Sequence, residues 1–409
     1  MNSKRKYCVT KNIILSLCIS LLLYFPTLNV CLYAQDNFSG IKKLIGNDDA
    51  IIVADSTGKI ILEKNSGKRL VPASILKILT SLAAFHYLGH NYRFETDFYI
   101  DNNSNLKVKG YGDPLLISEN ISDIAEKLSS KIEYINDIVL DDSYFSSAIP
   151  PGAVALSPQP YDSPNGALCA NFNTVNFNVI NGKFVSAESQ TPLLPFAVNL
   201  IKKSDIRKGR ILLSSEYNEN TLYTGHLISW FLERKGIKTK GQIRKGLVCD
   251  KTDKLILKYY SSFSIKDGVS KLLLYSNNFI ANQLVLAIGA KMHGQPGTLE
   301  NGVFAIKDYA TKTLNIDDLS IIEGSGISRN NSISAKSFLK ILAEFKPYMH
   351  LMKHKGNEYF KTGTLKDVST RSGYIKGPKG RLFTFVILTN SKGKSAEKIS
   401  KRLRSLLDG

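Results

Sequence analysis

Apolar residues run or alternate over 50–55 and again over 59–63, on either side of Ser56-Thr57-Gly58, a pattern that predicts a two-strand hairpin. Past Val71-Pro72-Ala73, the residues Ile75, Leu76, Leu79, Leu82, Ala83 and Tyr87 recur at helical spacing up to Gly89. That spacing predicts a helix over 74–88 with Ser74 at its start. Towards the other end, 359–365, 371–375 and 381–389 read as short strands separated by Gly/Pro/Lys turns such as 376–380. A last segment, 396–407, gathers Ile399, Leu403, Leu406 and Leu407 on one helical face. Its apolar face is expected to cover the sheet those strands form; the alternative is a basic face lying on a membrane. Between the ends the texture changes to mixed strands and short helices rich in Asn, Gly and Pro. It includes a helix over 121–131, a strand over 138–140, a Pro-rich stretch over 150–164 and strands around 172–180. The pattern predicts an α+β protein with an inserted region, one or two small domains, over 100–248.

The first 34 residues change the picture of where the chain works. Lys4, Arg5, Lys6 and Lys11 precede an apolar run over 13–25, and 26–34 is a plausible cleavage region, as in an export signal. The run of about 13 residues falls well short of the roughly 20 needed to span a bilayer, so a cleaved signal and a periplasmic product are expected. Losing that segment's four basic residues lowers the formal charge from +19 to +15, which favours contact with anionic envelope polymers or head groups. The basic residues are spread along the chain without an aromatic-interleaved block, so nucleic acid is not an expected partner. Of five cysteines, Cys169 and Cys249 lie beyond the signal, and they are either one disulfide or two free thiols.

Three short motifs follow one another: Ser74-Ile75-Leu76-Lys77, Ser276-Asn277-Asn278 and Lys361-Thr362-Gly363. A serine hydroxyl needs a base within hydrogen-bond reach to act as a nucleophile, and residues three apart on a helix share a face. Lys77 can be that base for Ser74 only where burial keeps its amine neutral at working pH. Ser276 and Asn278 fall between the apolar 272–275 and a second helix over 279–288. There a hydroxyl and a carboxamide can relay a proton and hold a substrate amide, or merely cap the helix. Lys361-Thr362-Gly363-Thr364 lies on a strand-like run, where Gly permits close backbone approach of a peptide and Lys offers a charge to its terminal carboxylate. Each motif alone is common; their order on helix, loop and strand points to a serine acyl-transferase acting on D-alanyl peptides and trapped by penicillins.

The chain resembles the D-alanyl-D-alanine carboxypeptidases/endopeptidases of the penicillin-binding protein 4 type, the low-molecular-mass class C penicillin-binding proteins. The likeness rests on the three motifs together with Gly110-Tyr111-Gly112-Asp113-Pro114, Asp141-Asp142-Ser143-Tyr144-Phe145, Asn171-Phe172-Asn173 and the stretch from Glu323 to Arg329. It implies a penicillin-recognising transpeptidase/β-lactamase-like domain, a five-stranded antiparallel sheet with helices on both sides. That domain would comprise 35–99 and 249–409, interrupted by 100–248. The resemblance implies that Ser74 attacks the D-Ala-D-Ala carbonyl with Lys77 as base, that Ser276 and Lys77 pass the proton to the leaving D-Ala, and that Asn278 holds the peptide. It further implies that Lys361, Thr362 and Thr364 bind the carboxylate, beside Gly363. The backbone N–H groups of Ser74 and Thr364 would form the oxyanion hole. One of Asp141 and Asp142 would meet the amino group of a diaminopimelate-type side chain. Implied partners are peptidoglycan stem peptides and β-lactams as covalent inhibitors, with no cofactor and with peripheral membrane contact left open.

Asn277 stands where several relatives of the wider superfamily carry Asp, and the stretch between Lys77 and Ser276 is short for this branch. Two other classes compete. A β-lactamase would need its own deacylating base, and no Glu is assignable to that role in the sequence. A non-catalytic peptidoglycan-binding envelope protein would have no reason to keep all three motifs. A metal hydrolase is disfavoured, because His86/His90 and His350/His354 have helical spacing but neither pair has a third ligand nearby.

Overall fold

The computed structural model describes residues 38–146 and 159–408. The expected export signal, 1–34, and part of the Pro-rich stretch lie outside the described residues. No helix among them is long and apolar enough to cross a membrane.

The two ends of the chain build one antiparallel sheet in the order Lys353–Lys355, Glu358–Leu365, Val368–Lys376, Leu382–Thr389, Asp49–Ala54 and Ile60–Lys64. It has one strand more than the five expected, because the short Lys353–Lys355 segment pairs with Glu358–Phe360 at the edge. Alternation along the strands sends Ala50, Ile52, Val386 and Leu388 to one face and Ile51, Val53, Phe385 and Ile387 to the other. On the second face the C-terminal helix Ala396–Asp408 buries Ile399, Leu403 and Leu407 against the sheet, the covering role its apolar face foretold. On the first face lie the helices Lys77–Leu88 and Asn278–His293. Residues 77–85 are buried without interruption, so this helix is a central strut rather than a surface amphipath.

The inserted region has its own core. A five-stranded mixed sheet runs in the order Ile243–Lys245, Ile138–Asp141, Leu106–Gly110, Glu95–Ile100 and Lys254–Tyr260. Glu95–Ile100 and Lys254–Tyr260 pair antiparallel, so this sheet takes in strands on both flanks of the 100–248 interval read from sequence. Phe98 and Val108 from this sheet share one apolar cluster with Val175, Phe177 and Ile211 from a smaller three-stranded sheet. The insert is therefore packed as one body. Cys169 is buried, Cys249 is exposed, and both are free thiols.

Candidate active site

Ser74 sits on the 3-10 turn Ala73–Leu76 that leads into the central helix. Ala73 is held at φ +50, a conformation a residue with a Cβ seldom adopts. Its neighbours brace it. Thr370 Oγ1 donates to the Pro72 carbonyl at 2.7 Å, and any side chain on Gly326 would collide with the Ala73 carbonyl oxygen. Ser74 itself is half-buried and accessible.

Lys77 is fully buried, and its Nζ lies 2.9 Å from Ser74 Oγ, 2.6 Å from Asn278 Oδ1 and 2.6 Å from the Ser325 carbonyl. Burial pushes the amine down to about 7, against the pull of the Glu323 and Asp162 carboxylates. The three contacts then sort themselves. A neutral amine has two N–H donors and one lone pair; Asn278 Oδ1 and the Ser325 carbonyl only accept, so they take both donors. The lone pair is left facing the one partner that can donate, the Ser74 hydroxyl.

Glu323 holds the Ser325 loop in place. Its fully buried carboxylate accepts from the N–H groups of Ser325 and Gly326 at 2.6 and 2.8 Å and from Asn331 Nδ2 at 2.7 Å. Thr80 and Asn282 bind Gly324 from either side, at its carbonyl and its N–H.

Ser276 closes the helix Ile265–Tyr275 in the left-handed conformation, at φ +56. Asn277, the departure noted above, caps the next helix by accepting from Ile280 N–H at 2.9 Å, a job Asp performs equally well. The first residue of that helix, Asn278, points its oxygen at Lys77 and donates from Nδ2 to Asp162 Oδ1 at 2.7 Å. Ser276 Oγ accepts from Lys361 Nζ at 2.7 Å, and Lys361 also reaches the Thr362 carbonyl at 2.7 Å. Burial, then the charges of Lys77 and Lys353, press Lys361 well below the ordinary lysine range. An arriving carboxylate would reverse that pressure and favour the charged form.

Gly363 touches the turn that carries Ser74. A Cβ there would stand 2.7 Å from the Ser74 nitrogen and 2.8 Å from Ala73 Cβ, both closer than real contacts allow. Gly363→Ala should therefore push the strand off Ser74 and slow acylation roughly 100-fold, the scale of a misplacement of about 1 Å. A rate within twofold of the parent in a folded variant would remove this constraint. Thr362 and Thr364 alternate with Lys361 and Gly363 along the pleat and are exposed. The Lys353–Lys355 strand ends opposite Phe360, so among the described residues the edge from Lys361 to Leu365 is unpaired.

The Asp141-Asp142 pair is largely committed elsewhere. Asp141 is buried and accepts from Ser143 N–H and Oγ at 3.0 and 2.6 Å and from Val248 N–H at 2.9 Å. Asp142 binds Lys245 Nζ and Thr221 Oγ1, each at 2.8 Å, and lines a cavity of about 120 Å3 with Asn165 and Gly166. A larger cavity of about 650 Å3, between the 49–64 hairpin and the Ala335–Phe345 helix, shares no residue with the Ser74 group. Among the described residues no cluster of three or more His, Cys, Asp or Glu could hold a metal ion.

A model of the D-Ala-D-Ala carboxypeptidase 3 (S13) family matches residues 39–208 and 207–350. The chain belongs to that family. It is 24% identical over 417 residues to the D-alanyl-D-alanine carboxypeptidase of Actinomadura sp. (strain R39), spanning 83% of this chain and 77% of that one. To D-alanyl-D-alanine carboxypeptidase DacB of Haemophilus influenzae it is 25% identical, over 81% of this chain and 83% of the relative. The fold is similar to the crystal structure of penicillin-binding protein 4 from Haemophilus influenzae, with a TM-score of 0.73 at 21% identity over 90% of this chain and 98% of that one. A predatory peptidoglycan endopeptidase from Bdellovibrio bacteriovorus is similar at a TM-score of 0.52 and 16% identity, over 88% and 92% of the two chains. This is the penicillin-recognising fold that the three motifs foretold.

Sequence reading missed two carboxylates beside Lys77 and Asn278. Glu323 lay in a stretch used for recognition without a role, and Asp162 lay at the edge of a Pro-rich loop that carries no motif.

Proposed function

We propose that this chain is a serine-type D-Ala-D-Ala carboxypeptidase that trims peptidoglycan stem peptides through an acyl-enzyme on Ser74. The observation that carries the reading is the placement of buried Lys77 Nζ, 2.9 Å from Ser74 Oγ and 2.6 Å from each of two obligate acceptors, so that the neutral amine can spend its donors on those two and turn its lone pair to the Ser74 hydroxyl. In this reading Ser74 attacks the carbonyl of the penultimate D-Ala and Lys77 takes its proton. The N–H groups of Ser74 and Thr364 receive the oxyanion, a device typically worth about 3 kcal/mol per donor. The proton held by Lys77 then passes by way of Ser276, which is tied to Lys361, to the departing amine as the C–N bond breaks; water then hydrolyses the ester, giving one proton back to Ser74 Oγ. The unpaired edge from Lys361 to Leu365 supports a peptide adding as an extra strand, with its terminal carboxylate at Lys361. When the leaving amine belongs to a second stem peptide, the same steps open a cross-link, so endopeptidase activity needs no additional group.

The export signal read in 1–34 supports work in the periplasm, where this substrate lies. A β-lactam, whose ring amide occupies the scissile position, would acylate Ser74 and remain.

The test is release of D-alanine from a pentapeptide ending in D-Ala-D-Ala. We expect release that stops after penicillin treatment, and little from the same peptide ending in L-Ala. A folded protein that releases no D-alanine and takes up no penicillin would overturn the reading in favour of a non-catalytic peptidoglycan binder.

A further inference from the structure

Asp162 belongs to the inserted region, on the 3-10 turn Pro160–Asp162, yet its carboxylate lies against the catalytic helix of the other body. The insert is fastened there by fully buried Gln283, which donates from Nε2 to the carbonyls of Gly112 and Gly166 at 3.0 Å each. Asn165 reaches back to the Phe279 carbonyl at 2.9 Å. Asp162 is thereby delivered to Asn278 at a fixed place, only about 5% exposed.

We infer that Asp162 is a positioning residue for acylation, locking the Asn278 carboxamide so that its oxygen, and never its NH2, faces Lys77. A carboxylate can only accept, so the Asn278 edge toward Asp162 must be the NH2, and the edge toward Lys77 must be the oxygen. The flipped amide would offer N–H donors to Lys77. The neutral amine would have to meet them with its lone pair, the same lone pair that receives the Ser74 proton. The inserted region thus completes the catalytic group rather than only covering it. This inference rests on Ser74 and Lys77 being the acylating pair.

The charged groups around Lys77 are Glu323 on the Ser325 loop, Asp162 on the inserted turn and Lys361 on the edge strand. Removing the Asp162 charge takes away one of the two anions that favour protonated Lys77. Asn at position 162 would also satisfy either orientation of Asn278.

The experiment follows acylation by a fluorescent penicillin from pH 5 to 9 in the full chain, with folding checked by circular dichroism. For Asp162→Asn we expect a plateau rate lower by roughly tenfold, the scale of one lost charge-assisted hydrogen bond. We also expect the acid limb of the profile to move to lower pH. Asp162→Glu, which restores both the charge and the acceptor, should lie nearer the parent in both respects. A purely structural role would lower the plateau without moving the limb, so an acid limb unmoved in Asp162→Asn overturns the inference whatever the plateau does. If Asp162→Asn does not fold, Asp162→Ser lacks the same carboxylate and is read by the same limb. A parent that takes up no penicillin would instead sink the acyl-enzyme reading and this inference with it.

Discussion

Ser74→Ala should keep its fold and take up no penicillin at all, while Lys77→Met should retain the serine and acylate about 10^3-fold more slowly, within the range typical of a lost general base. The first outcome follows because Ser74 is half-buried and its hydroxyl is bonded to Lys77, whose two other partners stay in place when the hydroxyl is gone. Little stability is at stake, whereas the covalent route disappears. The second outcome carries a pH signature in the parent. Burial holds Lys77 near 7, and the amine can accept the Ser74 proton only when neutral, so acylation should fall as pH drops through about 7. Lys361 must be charged to hold a carboxylate, and burial presses it the opposite way, so the rate should fall again on the alkaline side. Time courses of penicillin uptake from pH 5 to 9 read both limbs. Labelling of Ser74→Ala at the parent's rate, or a parent profile flat through neutral pH, would remove this pair from the chemistry.

The legible part of this site was the part written in consecutive residues. Ser74 and Lys77 are three apart on one turn, Lys361 and Gly363 two apart on one strand, and such spacings map directly onto helix and strand geometry. The hairpin over 50–63 and the C-terminal helix were legible for the same reason, since their apolar periods are local. Asp162 was not, because it meets Asn278 across 116 residues from a Pro-rich segment whose pattern carries no period. The place of Glu95–Ile100 was hidden too, because it pairs with Lys254–Tyr260, a partner far away in the chain. For Asp141 the surroundings were what stayed hidden. An acid in a family motif reads as available, but nothing in its letters says that Ser143 and Val248 will occupy both oxygens.

Glu358→Ala should lower stability by about 3–5 kcal/mol, the usual cost of removing one partner of a buried ion pair. Glu358 begins the strand that carries Lys361 and is fully buried, and Arg371 on the neighbouring strand grips it with Nε and an Nη at 2.7 and 2.8 Å. From the C-terminal helix, Ser400 Oγ donates to the same carboxylate at 2.7 Å, and Arg404 Nε stands 3.3 Å away at ion-pair distance. Removing the carboxylate strands Arg371, only about 4% exposed and stacked 3.5 Å from the Phe360 ring centroid, with no counter-charge. Arg404 is partly exposed and can turn to water; Arg371 cannot. The double replacement Glu358→Met/Arg371→Met removes both charges and fills similar volume, so it should recover much of the loss, since apolar substitutes for a buried pair are often neutral. Denaturant midpoints of the parent, both single variants and the double variant form the cycle that isolates the pair. Penicillin uptake should follow the same order, because the carboxylate that ties helix to sheet lies three residues before Lys361. If the single and double variants are equally destabilised, the helix is held by Ile399, Leu403 and Leu407 alone and the ion pair contributes nothing specific. A large positive coupling energy would mean that the edge strand owes its position to a charge buried on the face of the sheet opposite Ser74.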